Sequence, residues 1–187
     1  MQVQIEKRGK RNREMEMQKK ISALAAFVLA CTPALAQQGT VDAASAQFVD
    51  AKGEQNGTAE ISPAGKGVLI EAEVSGLPAD SWVAFHIHET GTCDHQTGHE
   101  SAGGHFNPDG REHGFKTANG PHAGDMPNQY VGADGVLRAQ VFNDRVSLGD
   151  GENGISGRAL MVHAKADDYE SQPSGAAGDR LACGVIE

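Results

Sequence analysis

No stretch of the chain reaches the roughly 18 consecutive apolar residues that a membrane-crossing helix needs, which excludes such a span. Basic charge is scarce beyond the first 36 residues. Seven of the 16 Lys/Arg but three of the 25 Asp/Glu lie in residues 1–36, leaving the rest of the chain at a net −13. An acidic product of this kind is soluble and lacks the basic face that nucleic acid or an anionic membrane would require. Helical periodicity is missing from Ala44 onward, as are internal repeats and any second domain, so one all-β domain is expected. Cysteine is sparse, with three in 187 residues.

The N-terminus reads as a secretory leader. Lys19 and Lys20 precede an apolar run from Ile21 to Ala30, and Ala34-Leu35-Ala36 supplies a small-residue cleavage pattern. Residues 1–36 are therefore expected to be removed, with a flexible tail over 37–43, a domain over 44–187, and a periplasmic or secreted product. Met1 to Glu16 is long and mixed in charge for a leader, which points to Met17 as the start of translation. Two alternatives stand beside this reading. Val28-Leu29-Ala30-Cys31 loosely resembles a lipoprotein site at which Cys31 would be lipidated, although Leu29 fits poorly there. A buried N-terminal helix would need a longer apolar run. Cleavage leaves Cys93 and Cys183, and an even pair in an exported chain suggests a disulfide, with two free thiols as the alternative. A link across about 90 residues would stabilise the fold by about 4 to 5 kcal/mol.

Val68, Ile70, Ala72 and Val74 alternate with Glu71 and Glu73, so one strand face is dry and the other wet, and Gly76-Leu77-Pro78 ends the strand. Trp82 to Glu89, Gly135 to Asn143, Arg158 to Lys165 and Leu181 to Ile186 read as further strands. Asn56-Gly57 and Asp134-Gly135 read as hairpin turns. Between Thr90 and Gln129 the pattern fails, with many Gly, His, Asn and Pro and few large apolar side chains. A loop of this length in a compact domain is functional or is held by something other than a core. Ala166 to Asp179 forms a second long loop.

All eight histidines fall between positions 86 and 163. His86-Ile87-His88 on a strand projects both imidazoles to one face and turns Phe85 and Ile87 to the core. Alone, that pair is weak evidence for a metal. His105, His113 and His122-Ala123-Gly124-Asp125 follow in the long loop, where small residues let the backbone turn a carboxylate toward a borderline ion such as zinc. His163, on a strand with Ala159 and Met161, would by itself read as a core histidine.

Taken together, Phe85-His86-Ile87-His88, Gly104-His105-Phe106-Asn107-Pro108, Gly120-Pro121-His122-Ala123-Gly124-Asp125, Val162-His163-Ala164 and Gly178-Asp179-Arg180-Leu181-Ala182-Cys183-Gly184-Val185-Ile186 resemble the copper/zinc superoxide dismutase family from about Ala44 through Ile186. The resemblance implies an eight-stranded Greek-key β-barrel, a flattened sandwich with two long functional loops. By motif position, copper would be bound by His86, His88, His105 and His163, and zinc by His105, His113, His122 and Asp125, with His105 bridging. Asp167 matches a carboxylate that accepts hydrogen bonds from one ligand of each metal, although a solvated loop acid, as Asp168 is expected to be, is its alternative. Cys93–Cys183 matches the family disulfide, which places Arg180 beside copper. Taken alone, Arg180 would read as a surface ion pair.

The implied activity is disproportionation of superoxide, with redox-cycling copper, structural zinc, Arg180 holding the anion, and His105 serving as ligand and proton donor. Gly175-Ala176-Ala177-Gly178 departs from the family's usual Gly-Asn-Ala-Gly, and the second loop has no lysine, so any steering field beyond Arg180 falls to Lys116 or Lys165. His95 and His99 match no family ligand and are expected to be solvated. The main alternative is a non-catalytic periplasmic copper- and zinc-binding protein on the same barrel. A zinc hydrolase is disfavoured because Glu89-Thr90-Gly91 follows His88, and a copper-only protein is disfavoured by the intact zinc set. Monomer and homodimer are equally compatible with the sequence.

Overall fold

A computed structural model describes residues 43–149 and 151–187. The leader expected over 1–36, with Cys31, and all but the last residue of the tail lie outside the described residues. The strands are β1 (Ala44–Asp50), β2 (Gln55–Ala64), β3 (Gly67–Val74), β4 (Ser81–Val83), β5 (Phe85–His88), β6 (Gln129–Val131), β7 (Leu137–Asn143), β8 (Ala159–His163) and β9 (Arg180–Ile186). No described helix is long and apolar enough to cross a membrane.

The strands pair antiparallel in the order β4-β6-β7-β3-β2-β1-β9-β8-β5. The two end strands are one run of chain interrupted at Ala84. Ala84 N–H donates to the Lys165 carbonyl at 2.8 Å, and the Ala84 carbonyl accepts from His163 N–H at 3.0 Å. Nine segments thus make eight runs, and the run that pairs with β6 at its start pairs with β8 at its end, drawing the sheet toward a barrel. β4, β6 and β7 follow one another, while β3 lies against β7 by way of a crossing connection, the Greek-key arrangement.

Alternation is clean where one face is wet. In β7, Leu137, Ala139, Val141 and Asn143 are buried while Arg138, Gln140 and Phe142 are exposed. Phe48, Ile61, Ile70, Phe85, Ile87, Leu137, Leu160 and Ile186 fill the interior with no exposure, each contributing roughly 1.5–3 kcal/mol through burial. Phe106, Ala123 and Met126 carry the long loop's share of that core.

Asp134-Gly135 forms the expected turn, with Gly135 at φ 72° and its N–H bonded to the Gly132 carbonyl. Asn56-Gly57 does not. It lies inside β2, and Gly57 sits where a Cβ would stand 2.5 Å from the Glu73 carbonyl. The glycine there serves close strand packing, and the β1–β2 turn is made instead around Gly53 at φ 82°.

Candidate metal centre

His86 and His88 leave β5 on the same face and meet His163 from β8, which pairs with β5 in the barrel wall. The long loop reaches them through two single bridges, His88 with His105 and His86 with Asp125. As a result, the histidines at 86, 88, 105, 113, 122 and 163 and both Asp125 and Asp167 are buried among the described residues.

Two tetrads result. One ligand atom from each of His86, His88, His105 and His163 lies within 4.8 Å of the others, and the same holds for His105, His113, His122 and Asp125. His105 belongs to both.

Hydrogen bonds fix which ring nitrogen each histidine offers. His86 Nε2–H donates to Asp167 Oδ2 at 3.0 Å, and its Nδ1 has no partner. His88 Nδ1–H donates to the Gly103 carbonyl at 3.0 Å, leaving Nε2, which lies 3.3 Å from His163 Nε2. His163 Nδ1 lies 3.4 Å from the Gly178 carbonyl. His105 Nδ1 faces Asp125 Oδ1 at 2.8 Å, while its Nε2 is buried without a partner. On the other side, Asp125 Oδ1 is also approached by His113 Nδ1 at 3.1 Å and His122 Nδ1 at 3.3 Å. Asp125 Oδ2 is held by the Gly114 and His122 N–H groups. His113 Nε2–H donates to Asp167 Oδ1 at 3.0 Å, so Asp167 spans the two clusters.

Electrostatics separates the clusters as well. Burial, reinforced by neighbouring imidazoles, pushes His105 down to about 4 and His163 down to about 3, and it pushes His88 well below the usual histidine range. These rings are neutral near pH 7 with lone pairs ready to coordinate. Burial opposes charge on His113 too, but its bonds to Asp125 and Asp167 raise it to about 9. Burial would raise both carboxyls, yet their histidine partners hold Asp125 and Asp167 well below the ordinary carboxylate range. A cation suits the Asp125 side even without a metal.

Buried nitrogens aimed inward without partners are costly unless something occupies the space between them. Four nitrogens on one side suit copper(II), and three nitrogens with one carboxylate suit tetrahedral zinc. The donor set therefore fits both ions.

A cavity of about 790 Å³ opens onto the first cluster, lined in part by His88, His105, His163, Gly178 and Arg180. Arg180 begins β9, three residues before Cys183, which is bonded to Cys93 in the long loop. Its guanidinium donates to the carbonyls of His99 at 2.7 Å and Gly103 at 2.8 Å. The roles of Gly103 and Gly178 escaped sequence reasoning because their carbonyls, not their side chains, do the holding. The positive φ of each, 73° and 75°, is the backbone feature behind both turns.

Of the expected steering cations, Lys116 donates to the Asp168 carbonyl and lies over Tyr169, and the Lys165 stem runs along Gly178. Gly175 needs its missing side chain, since a Cβ there would collide with Asp167 and His113. The expectation of a solvated ring fails for His99, which has no exposure; His95 is half-buried. The polar neighbours of His99 in sequence conceal a tertiary contact with the end of β1.

The family model described as copper/zinc superoxide dismutase (SODC) matches residues 55–186. Superoxide dismutase [Cu-Zn] 2 of Aquifex aeolicus is 48% identical over 147 residues, covering 76% of this chain and 85% of that protein. Superoxide dismutase-like protein YojM of Bacillus subtilis is 39% identical over 145 residues, covering 75% of this chain and 74% of that one. Among solved structures, the Cu/Zn superoxide dismutase from Brucella abortus superposes with a TM-score of 0.64 at 30% identity, covering 78% of this chain and 99% of that one. The chain belongs to the copper/zinc superoxide dismutase family, whose enzymes use copper and zinc.

Proposed function

We propose that the protein disproportionates superoxide to dioxygen and hydrogen peroxide in an oxidising compartment outside the cytoplasm. The observation that carries this reading is the pair of buried tetrads sharing His105, with Arg180 lining the cavity that the shared ring also lines.

On this reading His86, His88, His105 and His163 hold copper, through Nδ1 of the first and Nε2 of the rest. His105, His113, His122 and Asp125 hold zinc. When bound, copper supplies one-electron redox chemistry, and zinc supplies a fixed charge that does not cycle. Arg180 binds the anion, because its guanidinium is charged at every relevant pH and its donors form a planar fork. Its half-buried position, with 15% of the side chain exposed, leaves part of that fork facing the cavity. With copper off it, His105 Nε2 would be the atom that takes up a proton and releases it toward product, while Nδ1, which faces Asp125 at 2.8 Å, would stay on the zinc side. Asp167 fixes the tautomers of His86 and His113. The disulfide Cys93–Cys183 suits export, as does the leader read in residues 1–36.

Purified protein loaded with copper and zinc is expected to consume superoxide. Arg180→Ala is expected to lose most of that rate with its metal content unchanged. A loaded protein that binds both metals and leaves superoxide untouched would instead support a metal-binding protein on the same barrel.

A further inference from the structure

His99 stands outside both metal clusters, yet it is fully buried and neither ring nitrogen has a hydrogen-bond partner. Its backbone is in the left-handed region at φ 62°, costly for a residue with a Cβ. A buried polar ring on a strained backbone has a cost, and the arrangement around it shows what offsets that cost. The carbonyl of this same residue receives Arg180 Nη1–H at 2.7 Å, the shorter of the two backbone bonds that aim the guanidinium. The second acceptor, Gly103, is also at positive φ and closes the turn over residues 100–102. The stretch from Cys93 to His99, just before the first acceptor, is secured at Cys93 by the disulfide to β9. At its other end the anchor is the imidazole of His99, which is close to the backbone of Asp50 in β1 and to His95, whose ring packs against Gly53.

We propose that His99 is a positioning residue for Arg180: its buried ring pins the loop to the β1–β2 corner and thereby fixes the carbonyl that orients the guanidinium toward the anion. The ring acts by shape. Its nitrogens make no hydrogen bond of good geometry, only an approach to the Asp50 backbone, so an apolar ring of similar size should serve about as well. Glu100 does not replace this hold, because its carboxylate lies 3.5 Å from Arg180 and is largely exposed. The inference rests on the proposed role of Arg180 as the anion-binding group.

The test is azide affinity at copper(II), read from the azide-to-copper absorption band in protein loaded with copper and zinc. His99→Ala is expected to keep both metals and weaken azide binding by about tenfold, the size of effect expected when a charge-assisted contact is misaligned. Arg180→Ala should weaken it at least as much, and the double variant no further than Arg180→Ala alone, because both changes remove one interaction. His99→Phe is expected to restore wild-type affinity. Unchanged affinity in His99→Ala, additive losses in the double variant, or a His99→Phe protein as weak as His99→Ala would each overturn the proposal. Should His99→Ala shed its metals, His99→Leu takes its place with the same outcomes. Azide binding is read without turnover. A wild-type protein that binds azide normally but consumes no superoxide would therefore sink the functional reading and leave this one standing.

Discussion

Replacing Asp167 with Asn keeps the shape of the side chain and removes one acceptor. In the wild type, Oδ1 accepts from His113 Nε2–H at 3.0 Å and from the Tyr169 N–H at 2.6 Å, while Oδ2 accepts from His86 Nε2–H alone at 3.0 Å. An asparagine must choose, and placing its oxygen at the Oδ1 position satisfies two donors while its NH₂ group faces His86. That leaves two donors opposed at His86. The ring escapes by moving its proton to Nδ1, the nitrogen proposed to hold copper. A hydrogen bond to a charged group contributes about 1.5–3 kcal/mol, and each 1.4 kcal/mol is about a factor of ten. Copper affinity is therefore expected to fall about 10- to 100-fold, in line with the loss of other outer partners of metal-bound histidines. Zinc should be affected less, because His113 keeps its acceptor. Competitive chelator titrations of each metal in Asp167→Asn and wild type measure both constants. Copper affinity within about twofold of wild type, or a zinc loss larger than the copper loss, would refute the reasoning.

Two further outcomes follow from the same structure. Cutting the Cys93–Cys183 link with Cys93→Ser and Cys183→Ser releases a constraint spanning 90 residues, worth about 4 to 5 kcal/mol on the chain-entropy account; urea unfolding of the metal-free protein should show it, and a change under about 1 kcal/mol would contradict it. The metal-free protein should also be most stable near pH 6.5. His105 and His163 have folded values lowered to about 4 and 3, so the unfolded chain binds more protons below 6.5 and stability rises with pH through that range. His113 is raised to about 9, so its contribution is full below 6.5 and is lost as pH climbs through 9. A melting-temperature profile that is flat or rising from pH 6.5 to 9 would count against the His113 pairing.

The sequence made β3 and β7 plain because each has a wet face that forces alternation, Glu71 and Glu73 on one and Arg138 and Gln140 on the other. It also displayed the side chains that meet in the two clusters, since imidazoles at 86, 88, 105, 113, 122 and 163 are rare residues in distinctive settings. It concealed what acts through the backbone. Nothing in the letters Gly103, Gly178 or His99 announces a carbonyl that receives His88, His163 or Arg180, because a carbonyl is common to every residue and its direction is set by the turn around it. Asn56-Gly57 misled for a related reason: glycine answers equally to a turn and to a close neighbour, and only the facing strand at Val74 tells them apart. β6, three residues long, is too short to show a period.

The run that passes through Ala84 leaves β6 and joins β8, and His86 and His88 sit on the part that makes the join. Shutting the cylinder and bringing those two imidazoles to His163 are consequently a single event, reached only after partners some 75 positions apart in the chain have found each other. A chain stalled before that step would show two naked sheet borders and no complete nest of nitrogens. Metal captured across the seam would act as a latch, so that supply of the ion and the lifetime of the vulnerable open form become linked quantities.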